Sequence, residues 1–193
     1  MLLFTYIAAC FGVALLSFFF CWSRRDWLWL VLALGFTLWA DYFLILHNRH
    51  LTGVAVFCFA HLAYIIRAVN QRQNDKDRPF PWSRIFAIGL VVIVLAFIFF
   101  DAIYVVTGLY ATLFISNIYV SARYLKRNRA LTITGLLLFA ACDICVMIFN
   151  MPLYFGAPAW LLNIFPLIWV FYLPSQALLA ISAVGYSERT SKQ

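Results

Sequence analysis

Asp41, His61 and Asp143 each stand inside a long apolar run, and they are the residues of this chain best suited to chemistry. No charged residue lies nearer to Asp41 than Arg49. A carboxylate placed in a bilayer costs several kcal/mol or changes its protonation state. A carboxyl group withdrawn from water holds its proton more tightly, and a second carboxylate nearby strengthens this for one of the pair. Two such acids can divide the work of acid–base catalysis. One donates a proton near neutral pH, while the other, anionic, acts as base or stabilises a cation. The plainer alternative is that each group is interhelical glue, as polar residues in membrane bundles often are.

Helices must position these groups. The chain has 193 residues, 66% of them apolar and 11% charged, with a mean hydropathy of +0.94. A soluble domain is nearer a quarter charged. Repeated apolar runs of near twenty residues indicate an all-α, polytopic membrane protein forming one transmembrane helical domain over residues 1–193. The spacing predicts seven segments: 2–22, 27–46, 51–69, 85–100, 103–124, 130–150 and 159–185. The first begins apolar at once, without a basic n-region or a small-residue cleavage site, so it is expected to be a helix and not a removable signal. The seventh is expected to bend at Pro166 and Pro174.

Charge placement supports this threading. The net charge of +7 does not point to nucleic acid, because the basic residues bracket the apolar runs. With the N-terminus outside and the C-terminus cytoplasmic, every Lys and Arg except Arg49 falls on the cytoplasmic side. Trp22, Trp27, Trp29 and Trp82 fall near that boundary, as interfacial aromatics do. At the rise of an α-helix, Asp41 lies roughly 8 Å, Asp143 roughly 10 Å and His61 roughly 15 Å from the outer ends of their segments. All three are therefore expected to converge in the outer half of the membrane, provided their helices are neighbours.

Further polar groups share faces with these residues. Thr37 precedes Asp41 by one turn, Tyr64 follows His61 by one, and Asn150 follows Asp143 by two. Tyr110 shares a face with Asn117, and Tyr172 with Gln176. Tyr64, Asn117, Asn150, Tyr172 and Gln176 are the candidate substrate contacts. Asp75, Asp77 and Asp101 are expected in solvent, and Arg67 is expected to snorkel to the cytoplasmic surface.

Other chemistries are absent. There is no G-x-S-x-G, H-E-x-x-H or P-loop motif. Lys76, Lys126 and Lys192 lie in loops or the tail, which excludes a retinal-type Schiff base within the membrane. Cys10, Cys21, Cys58, Cys142 and Cys145 all fall in apolar segments and form no secreted disulfide framework. Cys142 and Cys145 make a C-x-x-C, but a metal site would want more ligands nearby. No metal or other cofactor is expected.

Four stretches resemble the YhhN family of lysoplasmalogenase-like membrane proteins. Trp39-Ala40-Asp41 is similar to its Gly-Asp motif, with Ala40 in place of Gly. Phe59-Ala60-His61-Leu62-Ala63-Tyr64 resembles its small-residue-His-x-x-Tyr motif. Ala141-Cys142-Asp143, with Asn150 downstream, resembles its Ser-Asp motif and following Asn, with Cys142 in place of Ser. Tyr172 and Gln176, ahead of Leu178, resemble its final helix. Family members commonly have one helix more than the seven predicted here.

The resemblance implies hydrolysis of the vinyl ether of a lysoplasmalogen to a fatty aldehyde and a glycerophospho-alcohol. Asp41 and Asp143 would be the acid and base, in either order, with His61 orienting or tuning one of them. The implied partner is a lysophospholipid entering sideways from the bilayer, and the expected address is the bacterial inner membrane. A small transporter built as a three-plus-one-plus-three repeat is a competing class, since the second and sixth segments each carry an Asp at matching depth. A non-catalytic lipid-binding or sensor protein is another.

Overall fold

The computed structural model describes residues 25–71, 101–125 and 128–182, together with helical positions at Thr5, Ala8, Ala9, Gly12 and Gly89. The bodies of the predicted first and fourth segments lie outside the described residues, as do Cys10, Cys21, Trp22, Trp82, Asp75, Asp77 and the three lysines. The count of seven helices and the N-outside threading remain expectations of the sequence.

Five α-helices are described from end to end: α1 (Arg25–Asp41), α2 (His50–Asn70), α3 (Ala102–Tyr124), α4 (Arg129–Phe155) and α5 (Phe165–Ile181). A π-helical turn, Tyr42–Leu46, continues α1, and a 3-10 helix, Ala159–Ile164, precedes α5. No strand occurs among the described residues. With its adjoining turn where it has one, each helix is long and apolar enough to cross a membrane. Large apolar side chains stand exposed on all five, among them Trp39, Phe59, Ile115, Met147 and Val170. Water would penalise such a surface, whereas lipid is its natural solvent.

Local chemistry sets the boundaries. Asn48 takes a left-handed φ of 52° between α1 and α2, a conformation that asparagine tolerates better than most residues. Arg49 N–H closes the connection on the Phe43 carbonyl at 2.9 Å. The predicted sixth segment stops at Asn150, but α4 runs through Pro152 to Phe155 and ends at Gly156, whose φ is +64°. A glycine ends a helix there without a Cβ penalty, and neighbouring groups can accommodate a proline inside a membrane helix. Pro166 stands where the predicted seventh segment passes from the 3-10 helix to α5. It sits in the first turn of α5, where its missing N–H is no loss, while Pro174 does lie inside the helix.

Helix α1 packs on α2, α2 on α3, and α4 on α5, and α3 also touches α4. The main core joins Leu30, Ala33 and Leu34 of α1 to Val56, Phe57 and Ala60 of α2, Phe114 of α3, Leu136 and Phe139 of α4, and Ile168 and Leu179 of α5. A smaller cluster, including Ile65, Ala68, Leu113 and Val120, seals α2 against α3. Two glycines permit the closest approaches. A Cβ on Gly53 would stand 2.5 Å from Leu44 Cγ and 3.2 Å from the Ala40 carbonyl. One on Gly135 would stand 2.9 Å from Leu179 Cγ and 3.2 Å from the Ser175 carbonyl.

Arg67 does not snorkel. It is buried, and its guanidinium donates to Ser182 Oγ at 3.1 Å and to the Ser182 carbonyl at 3.2 Å. Asn128 Nδ2 reaches the same carbonyl at 3.0 Å. The end of α5 leaves carbonyls without intrahelical donors, and a cation there also suits the helix dipole. That demand draws Arg67 inward.

Candidate functional site

Asp41 is the last residue of α1, immediately before the π-helical turn. Such turns often mark functional positions. Its side chain is buried at 4% exposure, and the Tyr172 hydroxyl of α5 donates to its Oδ2. Asp143, half-buried on α4, has the same kind of partner from a different helix: the Tyr110 hydroxyl of α3 donates to its Oδ2 at 2.5 Å. Each carboxyl is thus held at one oxygen by a phenol. Among the described residues, neither Oδ1 carries a hydrogen bond. The two carboxyls lie within electrostatic reach of one another.

His61 is fully buried on α2. Its ring stacks on Phe114 at 4.5 Å between centroids and 21° between planes, and lies 5.1 Å from the Tyr110 ring. Phe139 of α4 joins the two halves of the cluster. Its ring stands 5.9 Å from His61, 5.4 Å from Phe114 and 5.5 Å from Tyr172. The chain of contacts therefore runs Asp143, Tyr110, His61, Phe139, Tyr172, Asp41. His61 hydrogen-bonds neither aspartate. Instead its Nδ1 meets Asn117 Nδ2 at 3.2 Å, and Ser121 Oγ donates to Asn117 Oδ1 at 3.0 Å.

The other sequence candidates divide. Tyr64, one turn beyond His61, is buried and in the core, with its hydroxyl unpartnered among the described residues. Gln176, one turn beyond Tyr172, is buried with Nε2 3.5 Å from Ser175 Oγ. Tyr172 binds Asp41 directly, and Asn117 binds His61. Asn150 stands apart: its Nδ2 donates to the Val146 carbonyl of its own helix at 2.9 Å. Thr37 likewise donates to its own helix, to the Ala33 carbonyl at 3.0 Å. Cys58, Cys142 and Cys145 are buried free thiols, and no group of three possible metal ligands stands together among the described residues.

Ser121 and Phe139 belong to the cluster but were not among the sequence candidates, and Tyr110 was marked there only as sharing a face with Asn117. A signal existed for each. Tyr110 lies two turns before Asn117 on one face, Ser121 one turn after it, and Phe139 one turn before Asp143. Sequence spacing marks the faces but not which phenol meets which acid.

Comparison with known proteins places one family model on the chain, that of the YhhN family, over residues 3–183. No curated protein matches it, and no solved structure does.

Proposed function

The chain belongs to the YhhN family, and from that premise we propose that it is a membrane-embedded hydrolase of lysoplasmalogen-type lipids. The observation that carries this reading is the pair of aspartates from different helices, each bonded to its own tyrosine and joined through one aromatic cluster. Lipid-facing helices surround that cluster, which suits a substrate arriving from the bilayer. The membrane we propose is the bacterial inner membrane.

A vinyl ether hydrolyses when an acid protonates its β-carbon. One aspartic acid supplies that proton and becomes anionic. The resulting oxocarbenium ion is stabilised by the other carboxylate. That second carboxylate then takes a proton from water as the water oxygen adds to the cationic carbon. The product is a hemiacetal, which collapses to a fatty aldehyde and a glycerophospho-alcohol. Tyr110 and Tyr172 hold the carboxyls in place during these transfers.

Aldehyde release from lysoplasmalogen by the purified full chain in detergent tests this, alongside Asp41→Asn and Asp143→Asn. Removing a general acid or base is expected to lower turnover by about 100-fold or more in each variant, with thermal melting unchanged. No release by the parent from vinyl-ether, alkyl-ether or ester lysolipids would sink the hydrolase reading.

A further inference from the structure

The two nitrogens of the buried His61 ring are in opposite situations. Nδ1 meets Asn117 Nδ2, while Nε2 is buried with no hydrogen-bond partner among the described residues. The Asn117 amide is itself held from the other side, because Ser121 Oγ, one turn later on α3, donates to its Oδ1. The structure sets the amide oxygen against Ser121 Oγ, which donates to it, and so sets the amide N–H towards the imidazole. An N–H can bond only to a ring nitrogen with a free lone pair, so Nδ1 carries no proton and the ring proton sits on Nε2. Asn117 is 0% and Ser121 1% exposed, so water does not compete for these bonds.

We propose that Ser121 and Asn117 are positioning residues that lock His61 in its neutral Nε2–H tautomer, so that it presents one N–H to an oxygen of the substrate. The tautomer stands on the hydrogen bonds alone, while the identity of the oxygen rests on the hydrolase reading above. A donor on the ether oxygen would oppose the first step, because that oxygen must push a lone pair towards the carbon being protonated. The same donor assists the last step. There the hemiacetal hydroxyl gives its proton to the aspartate that acted first as acid, and a carbonyl forms. The bond from carbon to the glycerol oxygen breaks, and its electron pair stays on that oxygen. The glycerol oxygen takes a proton from the second aspartate, which acquired one from water. Both aspartates return to their starting states. His61 transfers no proton; its Nε2–H bonds the departing glycerol oxygen while charge builds there.

The test uses the full chain in detergent, labelled with ¹⁵N-histidine, and long-range proton–nitrogen correlation spectra. The chain has three histidines, and the His61 signals are those lost in His61→Gln. A proton on Nε2 and none on Nδ1 is the expected result; a proton on Nδ1, or on both nitrogens, overturns the assignment. Asn117→Asp replaces the amide donor with an acceptor and is expected to move the proton onto Nδ1. A proton still on Nε2 alone would overturn the relay. Ser121→Ala, a milder change, is expected to give a mixture of tautomers. In the aldehyde assay both variants are expected to lower kcat by about tenfold or more with KM unchanged. A shifted tautomer with unchanged kcat overturns the role in the reaction. If the parent turns over no lysolipid, the hydrolase reading and the glycerol acceptor fall together, while the spectra still decide the tautomer.

Discussion

Removing the Tyr172 hydroxyl isolates what the phenol does for its acid. In Tyr172→Phe the ring keeps its contacts with Phe139, at 5.5 Å, and with Trp169, at 6.2 Å, so packing is conserved. What is lost is the hydrogen bond to Asp41. Asp41 is 4% exposed, which leaves little access for a replacing water. A hydrogen bond to a charged group contributes about 1.5–3 kcal/mol. If Asp41 works as the anion, that converts to a fall in kcat of roughly 10- to 150-fold. Tyr110→Phe does the same to Asp143, whose half-buried setting leaves more room for water. Its expected fall is at the lower end, about tenfold. The assay is aldehyde release per folded molecule, with folding followed by thermal melting. A Tyr172→Phe rate indistinguishable from the parent's would refute the claim that this phenol supports a working carboxylate. The ordering is informative as well. A protonated acid depends less on the donor than an anion does, and burial alone makes Tyr172→Phe the more damaging, so a larger fall in Tyr110→Phe would mark Asp143 as the anionic partner.

Other perturbations follow from the packing. Gly53→Ala would drive a methyl group into Leu44, in the turn that follows Asp41, and is expected to cost about 1–3 kcal/mol, read as a lower melting temperature. Gly135→Ala, which meets Leu179 and a Ser175 carbonyl 3.2 Å away, is expected to do the same at the α4–α5 contact. Arg67→Met strips two hydrogen bonds from Ser182 at the end of α5. It is expected to cost about 1–3 kcal/mol of stability while leaving turnover per folded molecule unchanged. Asn150→Ala removes only a bond to its own helix, so kcat and KM are expected to stay at the parent's values. A large loss in either would show that this amide turns to the substrate.

The membrane-helical class was legible in the sequence because it depends on local quantities. Apolar runs near twenty residues and the exclusion of charge need no knowledge of neighbours. The same locality made Asp41, His61 and Asp143 conspicuous, since an ionisable group in an apolar run stands out wherever the helix lies. Helix ends were less legible. Pro152 looked like a stop but lies inside α4, and Pro166 marks the start of α5 after a 3-10 helix. A proline's effect depends on where in the turn it falls and on which groups take up the freed carbonyl.

Spacing put Tyr172 on a face with Gln176 and Tyr110 on a face with Asn117, but no spacing says that Tyr172 meets Asp41, 131 residues away, or that Tyr110 meets Asp143, 33 away. Helix neighbours and rotations about the helix axes decide those pairings. The same applies to His61, whose partner is Asn117 and not an aspartate, and to Arg67, which turns inward to Ser182. A polar side chain in an apolar run announces that it needs a partner, and the sequence by itself determined that need. Only the tertiary structure decided which group meets it, because any of the packed helices can bring a donor or acceptor to the same level.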